Sequence, residues 1–122
     1  MVFQKILREM LQNIPGAIGA VFLDREGESV DLFAEDVFEI SDDGLRAVGA
    51  YTGIFLSNVR RACERIHAGA PRELTIDFDN ATVLSADLKE GYYLVLVVAR
   101  GANEAVAVDR LRRCRDRLLT EI

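Results

Sequence analysis

Phe3-Gln4-Lys5-Ile6-Leu7-Arg8-Glu9-Met10-Leu11-Gln12-Asn13-Ile14-Pro15-Gly16-Ala17-Ile18-Gly19-Ala20-Val21-Phe22-Leu23-Asp24-Arg25-Glu26-Gly27 is the stretch whose reading decides the fold. Phe3, Ile6, Leu7, Met10, Leu11 and Ile14 return every three or four positions. That spacing predicts one apolar stripe on a helix over about residues 2–13. Pro15 and Gly16 end it. Residues 17–23 are apolar on both faces, so they read as an inner strand covered above and below. Gly19 and Ala20 stand where larger side chains would crowd a covering helix. Asp24-Arg25-Glu26-Gly27 reads as a hairpin turn, with Gly27 free to take a positive φ. Residues 28–34 alternate Ser29 and Asp31 with Val30 and Leu32, the pattern of an edge strand.

Outward from this unit, residues 35–40 form an acidic connector. Ser41 offers an N-cap, with Asp42 and Asp43 in the first turn of a long helix over about 42–68. The row Leu45, Val48, Thr52, Phe55, Val59, Ala62 and Ile66 is expected to face the sheet. A second row, Ala47, Ala50, Tyr51, Ile54 and Asn58, lies to one side, and Arg61 and Arg65 extend it. Gly69 is the expected C-cap, and Pro71 prevents continuation. Strands follow at about 73–78, 82–88 and 92–99, joined by turns at Asp79-Asn80 and Lys89-Glu90-Gly91. The last strand has no polar face and belongs at the centre of the sheet. A helix over about 103–119 presents Ala107, Val108, Leu111, Cys114 and Leu118 to the core. Short loops between the last three strands demand an antiparallel meander. The expected fold is α/β (α+β): a three-layer α/β/α sandwich on a five-stranded antiparallel sheet, order α-β-β-α-β-β-β-α.

A chain of 122 residues, half of them apolar, builds one domain spanning 1–122. Net charge is −5, and no basic-aromatic interleaving occurs, which argues against nucleic acid. The densest basic run, residues 110–117, reads as a solvated helix face, with an acidic partner surface as the alternative. No segment approaches the ~18 apolar residues of a membrane span. The charged, amphipathic N-terminus is unlike a secretory signal, so a cytoplasmic protein is expected. Cys63 and Cys114 are expected as buried free thiols on opposite sheet faces.

Chemistry is poorly represented. His67, the single histidine, is expected in the last turn of the long helix as a C-terminal cation. It shares a face with Cys63 at i, i+4, which is weak evidence of a pair. Asp42 and Asp43 suit a helix N-terminus, and Asp77 and Asp79 suit a strand end and turn. Gly16-Ala17-Ile18-Gly19 enters a strand and makes no phosphate loop. No catalytic, metal or cofactor site is expected.

What remains is a self-association face. Ala47, Ala50, Tyr51, Ile54 and Asn58 would be exposed in a lone copy. The strand at 73–78 follows a long crossover, so it should lie at an edge. Its Leu74, Ile76 and Phe78 would then form an unguarded pairing template. Together these eight residues are the expected interface.

The order of Ile14-Pro15-Gly16, Gly19-Ala20-Val21, Asp24-Arg25-Glu26-Gly27 and Arg72-Glu73-Leu74 resembles the roadblock (dynein light-chain) domain family, including its bacterial MglB-type members. The resemblance covers nearly the whole chain and implies a roadblock/profilin-like fold. It implies a homodimer, or a heterodimer with a paralogue, in which the long helix and the third strand pair. It also implies a non-enzymatic regulator or scaffold of a small Ras-like GTPase, with GTPase activation a further possibility within the family. Arg60, Arg61 and Arg65 are the candidate polar contacts to that partner. A small-ligand sensory module of PAS or GAF type is the alternative, and it would need a hollow between sheet and helix.

Overall fold

The computed structural model describes residues 2–35 and 40–122; the expected acidic connector falls largely outside them. Helix α1 is Val2–Gln12. Strands β1, Ala17–Leu23, and β2, Ser29–Ala34, form the first hairpin. Helix α2 is Asp42–Glu64. Strands β3, Glu73–Asp77, β4, Ala81–Asp87, and β5, Tyr93–Ala99, form the meander, and helix α3 is Glu104–Glu121. The strands make one antiparallel sheet in the order β2-β1-β5-β4-β3. Helices α1 and α3 cover one face of it, and α2 lies on the other. The expected three-layer architecture is therefore the observed one.

Local chemistry explains the boundaries. Gly27 takes φ +80° in the β1–β2 turn. There Asp24 Oδ1 accepts from the amides of Glu26 (2.9 Å) and Glu28 (3.1 Å). Ser41 Oγ accepts from the Gly44 amide at 2.9 Å and caps α2. Asn103 Oδ1 does the same for Val106 at 3.1 Å and caps α3. These bonds satisfy amides that the first helical turn leaves without partners.

The register places two sets of side chains back to back. Ala20, Leu96 and Leu84 face one another in sequence across β1, β5 and β4 on the α1–α3 side. With Phe22 and Leu94 they meet Ile6, Leu7, Leu11, Leu111 and Leu118 in the larger core. Val21 and Val95 lie on the α2 side, as do Val97 and Val83. The inner strands β1 and β5 are buried almost throughout, as their lack of a polar face requires.

Helix α2 departs from its expected seating. Its buried residues are Leu45, Gly49, Thr52 and Leu56. Phe55, Ala62 and Ile66, assigned to the sheet-facing row, are exposed, and Val48 and Val59 are half-buried. Two glycines account for the rotation. A Cβ at Gly49 would stand 2.8 Å from Val21 Cγ1 and 2.9 Å from Leu23 Cδ2. A Cβ at Gly53 would overlap the Tyr93 hydroxyl. The helix thus approaches the sheet on its smallest residues. The Tyr93 hydroxyl donates to the Gly49 carbonyl at 3.0 Å, and burial pushes the phenol up to about 12. The helix also ends at Glu64, one turn early, with Arg65 as its C-cap. His67 therefore lies past the C-cap and not in the last helical turn expected of it, in the left-handed region at φ +55°. Cys63 is half-buried, not fully buried; Cys114 is buried, and both thiols are free.

Gly53→Ala tests this seating by its sign. In an ordinary helix interior alanine is favoured by about 0.8–1 kcal/mol. Here the added methyl displaces the Tyr93 hydroxyl, so urea unfolding should show a loss of about 1–3 kcal/mol instead.

Candidate interaction surface

Helix α2 packs chiefly over β2 and β1, with a lighter contact to β5. The α2 side of β3 and β4 is left without a covering helix, and an apolar groove of about 540 Å³ runs along it. Ala47, Val48, Tyr51, Thr52 and Phe55 form its helix wall. Ile76, Phe78, Ala81, Val83 and Val97 form its sheet wall. Tyr51 is 71% exposed, Phe78 58% and Phe55 40%. Burying a side chain of this size is worth about 1.5–3 kcal/mol, so the open groove is a standing cost.

The groove ends at an unpaired strand. Among the described residues β3 hydrogen-bonds to β4 alone, and the other side of its backbone meets no strand. Leu74 and Ile76 are half-buried on the groove side, while Glu73, Thr75 and Asp77 are exposed. Glu73 ties the strand to α3. Arg112 Nε and Nη2 donate to its two carboxylate oxygens at 2.8 Å each, and Arg115 Nη1 adds a bond at 3.3 Å. The Arg112 bonds hold the Glu73 carboxyl below its ordinary range. The basic run of α3 is therefore partly structural, beyond the solvated face expected of it.

Of the expected interface residues, Ala47, Tyr51, Ile76 and Phe78 line the groove, and Leu74 lies on the same face of β3. Asn58 is exposed on α2, and its Oδ1 accepts from Arg61. Ala50 and Ile54 lie elsewhere. They line a second cleft of about 450 Å³ on the opposite flank of α2. That cleft is bounded by the β1–β2 and β4–β5 turns and also holds Arg25, Arg60, Asp87 and Tyr93. Arg60 is thus separated from Arg61 and Arg65, which line neither cavity. Val48, Thr52, Phe55, Val83 and Val97 belong to the groove without being expected there. Periodicity places Phe55 against the sheet, and the signal that moves it outward is the Gly49–Gly53 pair one turn apart.

Other chemistry is sparse. Among the described residues no three His, Cys, Asp or Glu side chains are grouped to hold a metal, and no helix is long and apolar enough to cross a membrane. Burial pushes the Cys114 thiol up to about 12, so it stays protonated.

The chain has the roadblock/LC7 fold. A Roadblock/LC7 domain from Streptomyces avermitilis superposes with a TM-score of 0.83 at 18% identity, over 94% of this chain and 92% of that one. The gliding protein MglB from Thermus thermophilus gives 0.84 at 16% identity, over 95% and 84%. MglC from Myxococcus xanthus gives 0.69 at 22% identity, over the whole of both chains. No protein-family model and no curated protein sequence matches the chain.

The Glu73 clamp gives β3 a pH signature. A carboxyl whose folded pKa lies below its unfolded value contributes stability that is complete above about 4.5 and is lost as pH falls through the lowered folded value. Wild type should therefore exceed Glu73→Gln in urea midpoint at pH 7, and the gap should narrow by pH 3. Equal midpoints at pH 7 would show that the clamp does not hold the strand.

Proposed function

We propose that the chain is a dimeric, non-enzymatic regulator or scaffold for a small Ras-like GTPase, working in the cytoplasm. The observation that carries the reading is the continuity of the apolar groove with the free edge of β3. A second copy is the occupant that suits both features at once. A twofold axis beside β3 sets its backbone antiparallel to its own mate, which removes the exposed edge. The same operation brings the partner's α2 alongside the groove, where Tyr51, Phe55 and Phe78 can bury one another. An isologous pair needs no other complementary surface. The roadblock fold supports the step from dimer to GTPase platform, since it is shared with MglB and MglC.

The ligand-sensing alternative has less support. Both layers between helix and sheet are filled by packed side chains, and the two larger openings on α2 are surface features open to solvent.

Phe55→Asp and Tyr51→Glu test the dimer. Each puts a carboxylate into the proposed contact without touching the buried row of α2. An unpaired buried charge costs several kcal/mol. Both variants should sediment as monomers at concentrations where wild type is dimeric, with helical circular dichroism unchanged. A wild-type chain that stays monomeric at high concentration removes the dimer. If wild type is dimeric yet neither binds a Ras-like GTPase encoded beside it nor alters its hydrolysis rate, the partner is wrong and the dimer stands.

A further inference from the structure

The free edge of β3 carries its own alignment. We infer that a second copy of the chain pairs there with Thr75 on the twofold axis, and that Arg112 of each copy receives the partner's Asp77. This contact rests on the dimer proposed above and fixes its register.

Backbone direction sets the alignment. The Phe78 amide donates to the Ala81 carbonyl and the Asp87 amide to the Arg72 carbonyl, at 2.8 Å each. Antiparallel pairs alternate between bonded and non-bonded, so Arg72, Leu74, Ile76 and Phe78 turn their backbone to β4. Glu73, Thr75 and Asp77 therefore point their N–H and C=O groups out of the sheet. Opposed side chains share one face of a sheet, so a twofold partner must set some residue against its own copy. With Thr75 there, each outward residue of β3 finds an outward mate, and Glu73 lies opposite the partner's Asp77. Centring on Leu74 would set Asp77 against the partner's Pro71, which has no N–H to give. Centring on Ile76 would set Glu73 against the partner's Asp79, beyond the end of β3.

The Thr75 alignment is unfavourable without a cation. It brings Glu73 and the partner's Asp77 together with Cα atoms about 5.5 Å apart, and like charges so placed destabilise a sheet. The cation is already in position. Arg112 spends Nε and Nη2 on Glu73, which leaves its Nη1 without a partner among the described residues. Arg115 holds the same carboxylate at 3.3 Å but also meets Asp116 at 3.3 Å, so Arg112 carries the open donor. Asp77 stands at the other end of β3 on the same face as Glu73. Among the described residues it makes no ion pair, and its Oδ1 accepts from Thr82 Oγ1 at 2.9 Å. The open donor and the unpaired carboxylate meet twice across the axis. At an exposed rim such pairs select the register more than they add affinity.

Two variants and their mixture test the contact. Asp77→Arg and Arg112→Asp each set like charges against one another at both ends of the paired strands. Each alone should raise the dimer's dissociation constant about tenfold or more in sedimentation, with circular dichroism unchanged. An equimolar mixture should recover the dimer, because every contact in the mixed pair again joins an arginine to an aspartate. Mixing repairs no loss that lies within one copy. Thr75→Cys gives a readout that needs neither charge variant to fold. Mild oxidation should link it to its own copy, whose Cα lies within disulfide reach at about 5.5 Å. Asp77→Cys, about 14 Å from its own copy in this register, should link no faster than wild type. A dimeric wild type overturns the alignment, and leaves the dimer standing, if the charge variants stay dimeric or their mixture fails to recover. Asp77→Cys linking as readily as Thr75→Cys has the same meaning. A monomeric wild type removes the dimer and the alignment together.

Discussion

The seating of α2 on Gly49 and Gly53 governs the rest of the molecule. A helix meeting a sheet through glycine comes closer than one resting on leucine or phenylalanine, and the side chains it meets then fix its rotation. Val21 and Leu23 fill the space beneath Gly49, and the Tyr93 hydroxyl fills the space beneath Gly53 and bonds to the helix backbone. Held there, α2 spends its contact on β2, β1 and part of β5. Nothing of it remains to cover β3 and β4. The apolar residues that a centred helix would have hidden are turned to one flank, and they become the wall of the groove. One packing constraint thus produces both the exposed aromatic surface and the uncovered strand beside it.

The two faces of the sheet divide the work accordingly. The α1–α3 face carries the larger core, with two helices in mutual contact, and supplies most of the apolar burial. The α2 face has a smaller core, in which Leu45 is the main large residue contributed by the helix. Stability rests on the first face, which leaves the second free to present surface. Glu73 joins them. It sits at the start of the exposed edge strand, yet its ion pairs reach back to Arg112 and Arg115 on α3. The strand offered for pairing is thereby anchored from the stable side.

Much of the fold was legible because it is written in long periodic runs. The uniformly apolar β1 and β5 announced inner strands, and the two hairpin turns announced their own geometry through Gly27 and the Lys89-Glu90-Gly91 bend. The apolar groove was legible only in part. Tyr51, Ile76 and Phe78, which line it, stood out in the sequence because an exposed aromatic or an alternating edge strand leaves apolar surface uncovered. Phe55 was expected against the sheet but lines the groove, and Ala50 and Ile54 were expected beside Tyr51 but line the other flank, for a single reason. Hydrophobic periodicity finds the face with the largest residues, but the sheet here is met by the face with the smallest. The cleft at Asp87 was illegible. Its walls come from residues 25–27, 50–60 and 87–93, and only the sheet register brings those turns to the same end of the molecule.

The two flanks of α2 differ in chemistry, one apolar and one mixed with charge. An apolar groove beside a free strand edge can be closed by its own mate, because twofold symmetry supplies the same shape in return. The cleft on the other flank carries acids and arginines together, so its charges alone do not assign it an occupant. With the groove closed, each dimer would show two such clefts related by the same axis.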